Sequence, residues 1–160
     1  MHDLRTIRAK SGTNQEGTSA HNRRVIIEAI RLNGSLSRAD LARATRLTKQ
    51  TISNLIESLE VDGLVASQEV VRGARGQPST PYRLVPEGAF ALGVQIDRHL
   101  TRVVAVDLMG HEVARVVANL PPGGPAEGSK LILHLIDTVR RDLVARFPES
   151  VHRLAGLGVA

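Results

Sequence analysis

The chain has 160 residues and no cysteine. That absence excludes disulfides, cysteine-ligated zinc and a thiol nucleophile. Aromatic rings are confined to Tyr82, Phe90 and Phe147. The core must therefore be built from Leu, Ile, Val and Ala, and a platform that stacks unpaired bases on aromatic side chains is disfavoured. No apolar run is long enough to span a bilayer. The opening MHDLRTIRAKSGTNQEGTSAHNRR has no apolar centre like that of a signal peptide. The cytoplasm is the expected compartment. His2, His21, His99, His111, His134 and His152 show no metal-ligand spacing, so no metal is assigned to them. PPGGP lacks the Lys-Ser/Thr of a nucleotide-binding loop and reads as a linker. Neither a catalytic residue nor a cofactor is assigned.

What the chain does have is ordinary globular composition, 42% hydrophobic and 23% charged, and an uneven charge. Residues 1–83 hold 13 Lys and Arg against 8 Asp and Glu, whereas residues 84–160 hold 8 of each. The whole excess of +5 lies in the first half. A basic segment joined to a neutral one points to a polyanion-binding module attached to something else.

Residues 1–19 are polar and read as a flexible arm. Residues 23–33 carry Val25, Ile26, Ile27, Ala29 and Ile30, which predicts a buried helix ending at Gly34. Ser37, with Asp40 three residues on, fits a capping box that starts a second helix. After the short turn TRLT, Thr48 can cap a third helix over 49–60, stopped by Asp62-Gly63. LVASQEVV and YRLV read as strands on either side of a basic loop, RGARGQPSTP. Beyond Pro86 the character changes. FALGVQID, TRVVAVDL and HEVARVVA are strand candidates, the last two joined as a hairpin through Met109-Gly110. Residues 129–147 place Leu131, Ile132, Leu135, Ile136, Val139 and Leu143 at helical spacing. LAGLGVA returns as a strand. The expected class is α+β, with a β-β-β-α-β unit in the second half.

The third helix turns Ile52, Leu55, Ile56 and Leu59 to one side and Lys49, Gln50, Thr51, Ser53 and Asn54 to the other. In a helix-turn-helix, the second helix needs an apolar back to hold it and a polar outward turn to meet base edges in the major groove. Gln and Asn pair bidentately with adenine, and Lys reaches guanine acceptors. Thr and Ser suit phosphate oxygens. A solvated helix face is the bland alternative. The capped preceding helix, the short turn, and a hairpin with Arg72, Arg75 and Gln77 at its tip all weigh against it. The candidate duplex-DNA contacts are Arg38, Thr48, Lys49, Gln50, Thr51, Ser53, Asn54, Arg72, Arg75 and Gln77.

The run from LSRADLAR through LTKQTISNLIESLEVDGLV to the loop GARGQPS resembles the winged helix-turn-helix of bacterial ROK-family transcriptional regulators, a fold shared with MarR-like regulators. LGVQIDRHLTRVVAVDLMGHEV resembles the opening hairpin of that family's actin-like, ribonuclease-H-like domain. The resemblance implies a winged helix-turn-helix over 20–86 and the incomplete start of a ROK domain over 87–160. It also implies a DNA-binding repressor of sugar-related genes, a homodimer, and a carbohydrate effector bound by the complete domain. A ROK-type sugar kinase with an accessory domain is the alternative. Kinases of the family carry an Asp-Ile-Gly-Gly-Thr loop where this chain has Gln95, Ile96, Asp97, Arg98 and His99. Backbone approaches a phosphate closely where no side chain intervenes. The lost glycines and the added Asp97 carboxylate therefore argue against ATP binding.

Overall fold

The computed structural model describes residues 15–69 and 79–160. The chain divides into two compact units between Val85 and Pro86.

In the first unit, α1 (Gln15–Asn33), α2 (Arg38–Thr45) and α3 (Lys49–Val61) accompany a small sheet. Val25, Ile26, Ala29 and Ile30 form one stripe of α1 and are buried. Helix α1 starts earlier than expected, so residues 15–19 are helical and not part of an arm; the rest of the expected arm lies outside the described residues. The sheet has the order β1 (Leu36–Ser37), β3 (Pro81–Leu84), β2 (Val65–Ser67), all antiparallel. Strand β1 was not expected. It pairs Leu36 with Tyr82 and delivers Ser37 directly to the start of α2. The strand read from LVASQEVV is shorter than expected, ending at Ser67, and its last residues, 70 and 71, lie outside the described residues.

In the second unit a 3-10 turn (Pro86–Gly88) leads into β4 (Phe90–Ile96), β5 (Leu100–Asp107) and β6 (Glu112–Asn119), an antiparallel meander. Helix α4 (Pro125–Arg146) and the short α5 (Ser150–Arg153) precede β7 (Leu154–Val159), which pairs parallel to β4. The strand order is β6-β5-β4-β7. One face of this sheet packs Phe90, Leu92, Val94, Val103, Ala105 and Ala114 against Leu135, Val139 and Leu143 of α4. Phe90 and Phe147 stack at 5.2 Å with a 40° tilt. Helix α4 begins a turn earlier than expected. Pro125 sits at its start, where a missing N–H costs nothing, so the last residue of PPGGP is helix and not linker. Asp107 closes the β5–β6 turn by accepting from the backbone N–H groups of Met109 at 2.9 Å and His111 at 2.8 Å. The architecture is the expected α+β one.

Candidate nucleic-acid interface

Helix α2 begins with a reciprocal cap. Asp40 N–H donates to Ser37 Oγ at 3.2 Å, and Ser37 N–H donates to Asp40 Oδ2 at 3.2 Å. Arg43 pairs with the same carboxylate. Burial pushes the Asp40 carboxyl up, but the hydrogen bonds from Ser37 and the Arg43 guanidinium outweigh it and hold it below its ordinary value. The helix ends at Arg46, a non-glycine residue in the left-handed region with φ 60°. Arg46 N–H still reaches Ala42 O at 3.0 Å. The buried Thr45 hydroxyl donates to Leu41 O at 2.7 Å and accepts from Leu47 N–H at 3.3 Å. These bonds fix the tight corner that aims α3.

Thr48 caps α3 as expected: its hydroxyl accepts from Thr51 N–H at 3.2 Å and lies 2.9 Å from Thr51 Oγ1. Ile52, Leu55, Ile56 and Leu59 are all buried and form the apolar back of the helix. Burying a side chain of that size contributes roughly 1.5–3 kcal/mol, so the aliphatic spine, not helix propensity, holds α3 in place. Thr48, Lys49, Gln50 and Asn54 are exposed, and Thr51 and Ser53 are half-buried. The structure thus brings these six residues together along one helix and its cap. Gln50 Nε2 donates to Asn54 Oδ1 at 2.8 Å, one turn apart.

Arg38 is engaged within the protein. Its guanidinium stands 5.5 Å from the centre of the Tyr82 ring and 3.7 Å from Glu57 Oε1. Sequence reasoning missed both partners. The signal for Glu57 was its position one turn beyond Asn54 on the outward side of α3; no comparable local signal marks Tyr82, which reaches Arg38 through the sheet. A small cavity of about 240 Å³ beside Arg38 is lined by Ser37, Ala39, Ser79, Thr80 and Tyr82. Arg72, Arg75 and Gln77, expected at the wing tip, fall in 70–78 and lie outside the described residues.

In the second unit, the turn between β4 and β5 holds the residues that stand where a kinase would have its phosphate loop. Asp97 N–H donates to Leu100 O at 2.9 Å, and Arg98 N–H donates to the Asp97 carboxylate at 2.7 Å. The Arg98 N–H is thus already engaged by the neighbouring carboxylate. Gln95 Oε1 accepts from Arg102 at 3.3 Å. An open depression of about 710 Å³ beside the turn is lined by residues that include Gln95, Asp97, Arg102 and Glu112. Among the described residues no cluster of His, Cys, Asp or Glu is placed to hold a metal ion. No described helix is long and apolar enough to cross a membrane.

Residues 24–76 match the MarR family model. The chain is 30% identical to an uncharacterised protein, y4fQ, of Sinorhizobium fredii over 139 residues, which cover 87% of this chain and 34% of that protein. It is 24% identical to a xylose repressor of Bacillus spizizenii over 140 residues, 86% of this chain and 35% of the repressor. It is 31% identical to the transcriptional regulator Rv0485 of Mycobacterium tuberculosis over 98 residues, 60% of this chain and 22% of the relative. Among solved structures, a ROK family transcriptional regulator, a homologue of the Escherichia coli Mlc protein, superposes with a TM-score of 0.67 at 17% identity, over 91% of this chain and 36% of that one. The chain spans about a third of the length of the curated relatives whose alignments cover most of it. The family match covers the helix-turn-helix region, the solved ROK regulator shares the fold, and several relatives are named as xylose repressors.

Proposed function

We propose that this chain, as a ROK-family regulator, binds duplex DNA in a sequence-specific way through α3 and represses sugar-related genes. One observation carries this reading: α3 turns an exposed polar face outward from a fully buried aliphatic back, at the end of a doubly capped helix-turn-helix. Lys49, Gln50, Ser53 and Asn54 face base edges, and Thr48 and Thr51 sit where the helix start meets phosphate oxygens. Arg38 braces α2 against α3, within reach of the backbone. Arg72, Arg75 and Gln77 supply the wing contacts. The protein acts as a homodimer, each α3 entering one of two successive major grooves. Relatives named as xylose repressors favour a carbohydrate effector for the whole protein. Sugar binding changes the relative placement of the DNA-binding units and weakens operator affinity.

The protein does not phosphorylate sugars. The carboxylate of Asp97 on the Arg98 N–H and the amide of Gln95 leave the β4–β5 turn poorly suited to a nucleotide phosphate. Its place of action is the cytoplasm, where operator DNA is. The direct experiment is selection of bound duplexes from a randomised library, followed by gel-shift titration at several salt concentrations. Enrichment of one sequence family, with affinity falling steeply as salt rises, supports the reading. No enrichment, or binding indifferent to salt, overturns it.

A further inference from the structure

Gln50 and Asn54 are offered by the sequence as separate readers, yet in the folded protein they are tied to one another. The 2.8 Å bond from Gln50 Nε2 to Asn54 Oδ1 joins two exposed side chains one helical turn apart, the spacing at which neighbours on a helix surface meet. The bond restricts what each amide presents. One Gln50 N–H and one Asn54 lone pair are used inside the pair. Left unengaged by that bond are Gln50 Oε1 and the second Gln50 N–H, and the Asn54 Nδ2 donors and the second Asn54 Oδ1 lone pair. A lone Gln or Asn reads adenine by presenting its own carbonyl and amino group side by side. Here each amide has part of its set engaged by the other, so the orientation of one is set by its partner.

The surroundings favour a fixed pair. The Thr48 and Thr51 hydroxyls at the helix start are engaged with one another. Glu57, the next residue along the same side, faces the Arg38 guanidinium. The tied amides are thus flanked by groups that already have partners inside the protein.

We propose that Gln50 and Asn54 form a single interlocked reading head for one base pair, not two independent contacts. The inference rests on the DNA-binding reading above. A pair already ordered before binding loses less side-chain freedom in the groove. Truncating either residue also removes the constraint on the other, so both truncations abolish the same discrimination.

The test is a double-mutant cycle read base by base. The whole chain is used to select a duplex from a randomised double-stranded library. The wild type, Q50A, N54A and the double variant are then titrated against that duplex and against each of its single-base-pair substitutions. The wild type is expected to discriminate at one position by about tenfold or more. Each single variant flattens that same position, and the double variant flattens it no further. A third variant, Q50E, keeps the side-chain length but cannot donate to Asn54 Oδ1, and is expected to change the preferred base pair at that position alone. Circular dichroism confirms that every variant keeps its helices. Flattening at two different positions, effects that multiply in the double variant, or no change in either single variant would overturn the interlocked head while leaving DNA binding in place. If the wild type enriches no duplex, the DNA-binding reading itself has failed and the inference falls with it.

Discussion

Arg23 of α1 donates a 2.6 Å hydrogen bond to Ser58 Oγ on α3. The same guanidinium pairs with Asp62, the C-cap of α3. These contacts bridge 35 and 39 residues of sequence and clamp the far end of α3 to the first helix. Hydrogen bonds to charged groups contribute about 1.5–3 kcal/mol, but the Arg23 and Asp62 side chains are 26% and 47% exposed, so water screens part of that. Arg23→Ala is expected to lower the stability of the first unit by about 1 kcal/mol. Its thermal midpoint should fall by several degrees. Arg23→Lys should recover only part of the loss, because a single ammonium does not reproduce the forked contact. Thermal unfolding followed by circular dichroism measures both, and unchanged midpoints would remove the clamp from the account of the fold.

Asp40 links stability to pH. Its folded-state carboxyl is held below its ordinary value, because the Ser37 hydrogen bonds and Arg43 outweigh the effect of burial. A carboxylate with a depressed folded value stabilises the protein above the unfolded value, and that contribution disappears as pH falls through the folded one. Asp40→Asn should therefore be less stable than the parent at neutral pH. The gap should close progressively below the ordinary carboxylate range. Urea titrations at neutral and strongly acidic pH would test this, and a gap that widened toward acid would contradict the sign.

Much of this fold was legible because its signals are local. The Ser37–Asp40 box and the Thr48 cap are four-residue patterns, and the structure realises both. The apolar back of α3 follows from helical periodicity, and the parent strands of the second unit follow from runs of β-branched residues. The misses are non-local. Strand β1 is two residues long and exists only because Tyr82 and Pro81 lie opposite it. Arg38 is a candidate DNA contact, and its two neighbours in the fold, Tyr82 and Glu57, are distant in sequence and were not expected. The Gln50–Asn54 bond has the right spacing in sequence, but spacing alone does not say whether two amides turn to each other or outward.

The corner between α2 and α3 carries a strain that a substitution can relieve. Arg46 adopts φ 60°, a conformation that costs a residue with a Cβ roughly 1–2 kcal/mol. Glycine adopts it freely but loses roughly 0.5–1 kcal/mol more chain entropy on folding. The first figure exceeds the second, so Arg46→Gly is expected to stabilise the first unit by up to about 1 kcal/mol. Arg46→Ala keeps the Cβ and should bring no gain. Denaturant titration of the two variants separates relief of backbone strain from loss of an exposed charge: equal shifts in both would assign the effect to charge.

Reading and anchoring can be separated by salt. A wing arginine on a phosphate releases counterions whatever the sequence, and each such contact contributes about 0.9 to the slope of log affinity against log salt. A base-edge contact contributes discrimination and little slope. Arg75→Ala is therefore expected to weaken binding to selected and random duplexes alike and to lower the slope by about 0.9 per protomer. Gln50→Ala should leave the slope unchanged and weaken binding to the selected duplex by about 1–3 kcal/mol, with random DNA hardly affected. Gel-shift titrations over a range of salt concentrations measure both quantities together. If Arg75→Ala altered preference between duplexes without changing the slope, the wing would be reading bases and α3 would have to share its role.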